Sequence, residues 1–535
     1  MSDGRARGDG ARAVAWGLGA LTAAVVGWPA AAIAWRVGGA LARGEVRGGM
    51  WVPSGALLAS TGVWALGIGV VATVLGWPAA WWIGRRGWGV APLALTPLLL
   101  PNYLAYAGYG LLRAPGTAVG DWIEWAATNG AAWMPIFAGR VVAVAGLGLW
   151  ASPLAAVALG AAFRGVDGGV LDALRMEGMG RARRGAFVAW MCRGGVMGAV
   201  GVVALVMLGS AVPLQLAQAP AYAIVVWLEL TLAPGSAGVW VSAWPLLAVA
   251  VLAGWWLARR AAACERGAEG EDERSARLAG VGAAGVWALA VVLPLGLFVM
   301  SVHDWRSVAR FWSLWEEAIS ASAWVAAAVG AASAGLVVAT WIAASGRHGW
   351  TAAWCLRAWL AAALTPGVLV GTAVAGAWEA SATTRAWMET PWVLVAAHLA
   401  RFGGVAVLAG VLLARIERPE ARRLRALDGA VGVRGWWWAC APVHGGVIAG
   451  VGVAAAALSL HEIEASVILQ PPGQESLART LLGFLHFSRM EDLSAAAINL
   501  VGVGLVGAVV AAWALRAALA PGRRGSAASG AERLR

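Results

Sequence analysis

Residues 237–302 read AGVWVSAWPLLAVAVLAGWWLARRAAACERGAEGEDERSARLAGVGAAGVWALAVVLPLGLFVMSV. Two apolar runs, 237–258 and 280–302, flank a segment, 259–279, in which ten residues are charged: Arg259, Arg260, Glu265, Arg266, Glu269, Glu271, Asp272, Glu273, Arg274 and Arg277. Each run has the roughly 20 residues that a helix needs to cross the hydrocarbon core of a bilayer. A bilayer solvates such runs directly, provided that helices satisfy the backbone polar groups internally. The pattern of span, charged linker and span gives a membrane-embedded α-helical protein divided into two units at 259–279.

The same reading extends in both directions. Upstream, apolar runs lie near 14–35, 57–83, 90–112, 141–163 and 195–217; downstream, near 319–344, 353–378, 392–414, 443–468 and 493–516. With the opening pair this makes six spans in residues 1–258 and six in 280–535. Composition agrees: 60% of the 535 residues are hydrophobic and 13% are charged, about half the charged share of soluble domains, and the mean hydropathy is +0.71. The polar, basic stretch Met1–Arg12 before the first run, with no evident cleavage site, reads as the lead into a retained span.

All 40 basic residues are Arg. A P-loop needs a Lys to reach the β- and γ-phosphates, so the chain holds no P-loop ATPase, and the usual protein-kinase Lys is equally excluded. The net charge of +12 reads as arginine facing the cytoplasm and anionic lipid, not as a nucleic-acid surface. With the N-terminus inside, 28 Arg fall in cytoplasmic segments, 10 in external ones and two, Arg357 and Arg401, in spans; the opposite orientation would invert this ratio. Both termini are therefore expected in the cytoplasm of a bacterial inner-membrane protein, although Arg36, Arg43 and Arg47 in an external loop run against the rule. The four Cys (192, 264, 355, 440) are too scattered for a disulfide framework or zinc site.

Two cytoplasmic loops, 164–193 and 415–442, carry six Arg each and hold equivalent places in the two halves. MEGMGRARRGAFVAWMCR (176–193) lies over RALDGAVGVRGWWWACAP (425–442) with Gly180 on Gly429, Phe187 on Trp436 and Arg193 on Pro442. An internal repeat is the economical explanation. Because each half has an even number of spans, the halves share one orientation. The pattern of a turn glycine, an aromatic two helical turns on and a proline opening the next span resembles the EAA loop of permease subunits in binding-protein-dependent ABC importers. The Glu-Ala-Ala positions themselves read Leu174-Arg175-Met176 and Arg423-Leu424-Arg425, and the first copy lacks the proline. The resemblance implies that Gly180, Phe187, Asp428, Gly429, Trp436 and Pro442 couple the chain to a separate ATPase, present in two copies.

SLHEIEASVILQPPGQESLARTLLGFLHFSRMEDLSAAAI (459–498) is similar to the matching part of double-length ferric-iron permeases, a group that includes thiamine permeases; GSAVPLQLAQAPAYAIVVWLEL (209–230) carries the Val-Pro-Leu and Pro-x-Tyr-Ala elements without the acid. The resemblance implies an all-α polytopic protein of about 12 spans in two tandem six-helix type I (MetI-like) halves, 1–258 and 280–535, joined by a cytoplasmic linker, 259–279. It also implies an external solute-binding protein docking at loops such as 114–140, 218–236, 380–391 and 470–491, no enzymatic activity, no cofactor and no resident metal. Ferric iron is the first expectation for the solute, thiamine or another small solute the second.

His461, Glu462 and Glu464 lie at the end of the eleventh run. Charge at mid-bilayer costs about 2.5–3.5 kcal/mol on insertion scales, so such residues face a cavity, a partner or the interface: they line a pathway for a cation or form a structural hydrogen-bonding cluster. Arg357 and Arg401 snorkel or pair with a carboxylate. An ion-coupled secondary transporter, with Glu462 and Glu464 as carriers, and a non-transporting scaffold are the other classes open to this sequence. Gly502-Val503-Gly504-Leu505-Val506-Gly507 matches GxGxxG but lies within an apolar run, where small residues let helices pack. The 35 Trp suit membrane interfaces.

Overall fold

The computed structural model describes residues 3–46, 54–86, 94–233, 235–262, 273–346, 349–417, 419–427 and 433–519. These are helical, with no strand among them. The first half comprises α1 (Asp3–Thr22), α2 (Trp28–Ala42), α3 (Gly55–Arg86), α4 (Asn102–Gly110), α5 (Ala118–Thr128), α6 (Met134–Phe163), α7 (Gly168–Met176), α8 (Arg181–Met191), α9 (Arg193–Leu208), α10 (Ala211–Leu216), α11 (Tyr222–Leu232), α12 (Ala237–Ser242) and α13 (Trp244–Ala262). The second comprises α14 (Glu273–Trp287), α15 (Leu293–Ser301), α16 (Arg306–Leu314), α17 (Glu316–Ser345), α18 (Gly349–Leu364), α19 (Gly367–Trp378), α20 (Ala382–Arg385), α21 (Trp392–Ile416), α22 (Pro419–Leu427), α23 (Val433–Leu460), α24 (Glu464–Leu469), α25 (Leu477–His486) and α26 (Met490–Leu519).

Among the described residues seven helices are long and apolar enough to cross a membrane, or nine if each of two bent pairs counts as one span. This is the build of a polytopic membrane protein. Several of the twelve apolar runs are not straight helices. The described part of 90–112 is a 3-10 turn, Thr96–Leu99, then α4, then the start of a second 3-10 turn, Leu111–Arg113. The run 353–378 breaks between α18 and α19 with a bend of 112°, at Thr365-Pro366. A proline has no N–H to continue the ladder and disfavours helical geometry in the residue before it.

The surface of α3 shows what surrounds the bundle. Val63, Leu66, Val70 and Val74 recur at helical spacing and are 51–71% exposed, whereas Ala65, Ile68, Ala72 and Gly76 on the opposite face are buried. An apolar stripe turned outward and small residues turned inward is the reverse of a soluble helix and suits lipid outside, close backbone contact inside. The close contact is tight: a methyl group on Gly69 would meet the Val200 carbonyl of α9 at 2.7 Å, and one on Gly330 of α17 would meet the Gly452 carbonyl of α23 at 2.8 Å.

Those two glycines occupy equivalent places in packing that repeats along the chain. In the first half α3 packs on α6 and α9, and α6 on α9; in the second α17 packs on α21 and α23, and α21 on α23. The opening helices cross over: α1 packs on α17 and α2 on α19, while α14 packs on α3, and α15 packs on α4 as well as on α26 of its own half. Both openings carry the same irregularity. Pro29 and Pro294 cannot donate to the carbonyl four residues back, and each helix absorbs the defect as a π-turn, Ala23–Gly27 and Ala288–Val292, closed by Trp28 N–H to Ala23 O and Leu293 N–H to Ala288 O. Arg36 is part of α2, and its guanidinium donates to Gly376 O near the end of α19 at 2.8 Å. It closes the C-terminus of a helix in the other half, which accounts for an arginine that defied the charge rule.

Candidate functional site

Four short helices begin close together in the interior: α4 after Pro101, α19 after Pro366, α10 after Ser210 and α24 at Glu464. Each start leaves backbone N–H groups without helical partners. Glu464, 7% exposed, answers two of them. Ala211 N–H, from the first half, donates to Glu464 Oε1 at 2.9 Å, and Gly367 N–H donates to Oε2 at 3.0 Å. A Cβ at position 367 would sit 3.0 Å from Glu464 Oε2 and still closer to Glu462 Oε1, so any larger residue there must displace the two glutamates.

Glu462, also 7% exposed, turns the other way. Its Oε1 accepts from Ala465 N–H at 3.2 Å and its Oε2 lies 3.4 Å from Arg401 Nε. Arg401 in turn donates through Nη1 to Thr365 O, the carbonyl freed by the break before α19. In the first half Trp150 plays this part: its Nε1 donates to Leu100 O at 2.6 Å, at the matching break before α4. Tyr103, 1% exposed, has a hydroxyl without a hydrogen-bond partner among the described residues.

His398 extends the network. Its Nε2 is 3.0 Å from Ser466 Oγ and its Nδ1 is 2.8 Å from Ser459 Oγ. Ser466 donates its single proton to Glu462 O at 2.5 Å, so His398 Nε2–H donates to Ser466. A chain of hydrogen bonds joins Ser459, His398, Ser466 and the Glu462 backbone. His398, Ser459 and Ser466 also line a cleft that leads outward past Gln470, Gln474 and Glu475.

The structure therefore gathers Glu462 and Glu464 but leaves His461 outside: half-buried, its ring makes no hydrogen bond among the described residues. Arg401 pairs with a carboxylate, one of the two fates expected of it. His398 and Ser466 were missed, because a lone histidine in an apolar run carries no spacing signal. Among the described residues no group of three His, Cys, Asp or Glu side chains is placed to hold a metal ion.

The two arginine-rich elbows emerge at one end of the bundle. α9, which follows the first elbow, meets α13 through Gly198 and Trp256, and α13 meets α18 through Trp255 and Trp354. α18 begins where α17 ends, beside the close of α21, where Trp341 Nε1 donates to Glu417 Oε2 at 3.4 Å. In the first elbow Gly180 is the exposed cap of α8, Phe187 is half-buried, and its neighbour Trp190 is 62% exposed beneath Arg193. In the second, Asp428 and Gly429 lie outside the described residues, as does the side chain of Pro442. Trp436 does not project: it is 2% exposed and packs edge-on against Trp341 at 4.7 Å. Trp437 and Trp438, 54% and 71% exposed, are the aromatics that face outward. Glu417, unmarked by sequence, clamps α22 through Arg425 at 2.7 Å and Arg422 at 3.5 Å. No family model, curated protein or solved structure matches the chain.

Proposed function

We propose that the chain is the transmembrane permease of a binding-protein-dependent ABC importer, with two type I halves of six spans each forming one translocation pathway. The observation that carries this reading is the repeat: the same helices pack in the same order twice, and an arginine-rich elbow closes the same position in each half at the same end of the bundle. Two such elbows, α7–α8 and α22 with the start of α23, offer paired docking sites for two copies of an ATPase. Exposed aromatics ringed by guanidinium groups fit apolar grooves with acidic rims. ATPase closure would draw the elbows together and change how the halves meet around Glu464, the point where one side chain holds both. An external binding protein would deliver the solute at the opposite end. Ferric iron is the leading solute and thiamine or another small solute the next, both from the sequence resemblance. The chain would lie in a bacterial inner membrane with both termini in the cytoplasm.

The test is biochemical. The purified chain should bring down an ATPase, and the complex should hydrolyse ATP faster when the binding protein and its solute are added. Uptake driven by an imposed ion gradient, with no ATPase required, would sink this reading. Such a result would favour an ion-coupled carrier, the alternative supported by the buried Glu462, Glu464 and Arg401.

A further inference from the structure

At the elbow end, α13 and α18 pack side by side, with Gly254 against the Leu360–Ala361 backbone. Three arginines converge on this seam without a carboxylate in ion-pair range among the described residues. The guanidinium of Arg357 lies 4.5 Å from the ring of Trp255 and 4.8 Å from that of Trp354, and Arg259 covers the same Trp255 ring at 5.4 Å. Arg260 stacks on Trp256 at 5.3 Å. Two like charges thus share one aromatic ring, with a third beside them. Stacking offsets part of the cost of holding a cation there, but it supplies no counter-charge. Arg357 Nε is buried and has no hydrogen-bond partner among the described residues.

The seam also faces the right way for one kind of anion. On the interior side of Arg259 and Arg260, α13 is apolar and open: Val251 is 54% exposed and Leu252 70%. Arg357 is eight residues into α18, about 12 Å from its start at 1.5 Å per residue. Along α13 the surfaces run aliphatic at Val251 and Leu252, then tryptophan at Trp255 and Trp256, then guanidinium at Arg259 and Arg260, the order of a bilayer from acyl chain through interface to headgroup, and Arg357 joins them from α18. We propose that this seam binds an anionic phospholipid, its phosphate held among Arg259, Arg260 and Arg357 and its acyl chains laid along Val251 and Leu252. Planar guanidinium groups suit a phosphate, which accepts two parallel N–H bonds. The proposal stands apart from the importer reading, since it concerns the outer surface of the bundle.

Native mass spectrometry of the full-length protein, delipidated and then given phosphatidylglycerol or phosphatidylcholine, tests it. Wild type should retain phosphatidylglycerol over phosphatidylcholine. Arg357→Gln and Arg260→Gln should each weaken that retention about fivefold, the effect of removing one basic residue near an anionic surface. Arg357→Lys, which keeps charge but loses the planar fork, should fall between. Arg385→Gln, at the opposite end of the bundle, should change nothing. Because Arg260 is exposed, its variant tests the site even if the Arg357 variants fold poorly. Equal retention by wild type and the Arg260 variant overturns the proposal. Displacement of the lipid by inorganic phosphate at equal concentration overturns it too, since the site would then hold a free anion. So does discrimination that emerges only after Glu265, Glu269, Glu271 and Asp272 are changed to amides, because the linker would then be the partner of these arginines.

Discussion

Glu464 accepts one backbone N–H from each half of the chain, and its removal should be felt as two unmade hydrogen bonds. An unsatisfied buried donor costs about 1–3 kcal/mol. Glu464→Ala strands both, whereas Glu464→Gln keeps one acceptor. Thermal unfolding in detergent should therefore rank wild type above Gln and Gln above Ala; an Ala variant as stable as wild type would mean that the carboxyl group holds nothing. Gly367→Ala forces a methyl group between the two glutamates and should cost about 1–3 kcal/mol, as overpacking does. The acids were legible in the sequence because charge in an apolar run demands a partner. What they do there was not: their partners come from residues 211, 367 and 401, and no local pattern announces a fold-distant N–H group.

At the level of elements, three consecutive tryptophans on a helix point about 100° apart, so one must face inward. Sequence alignment favoured Trp436 as the outward knob; contact with Trp341, 95 positions away, turns it into the core. Trp436→Asp should thus unfold the elbow rather than merely uncouple it. Trp437→Asp together with Trp438→Asp should leave the protein folded, by unchanged melting and elution, yet cut ATPase co-purification at least tenfold. If the double variant retains its ATPase, these tryptophans are not the docking surface. The breaks before α4 and α19 were similarly half-visible. Hydropathy averaged over 20 residues passes smoothly across them, although Pro101 and Pro366 mark the places.

For the whole molecule, the exchange of opening helices makes a prediction about assembly. α1 and α2 pack on the second half and α14 and α15 on the first. Halves produced as separate chains, cut between residues 262 and 273, should co-purify, because each wraps its first helix around the other. The first half made without α1 and α2 should lose its grip on the second and elute apart. Co-purification that survives this deletion undiminished would show that the exchange contributes little. The charged linker and the repeated loops led the sequence reading to two units, and residues 263–272 of that linker lie outside the described residues. The exchange was not legible, since hydropathy locates a helix in the membrane but not its neighbours.

Joining the two units in one polypeptide also frees them from being identical. Two copies of one chain around an axis would have to place the same side chain at both matching positions. Here Arg401 stands opposite Trp150, and the Glu464 that begins α24 faces the Ala211 that begins α10. One wall carries the ionisable groups and the other offers neutral donors. If the chain is the importer proposed above, a cargo passing between them would meet a surface with a chemical left and right, and its orientation as well as its size would be open to selection.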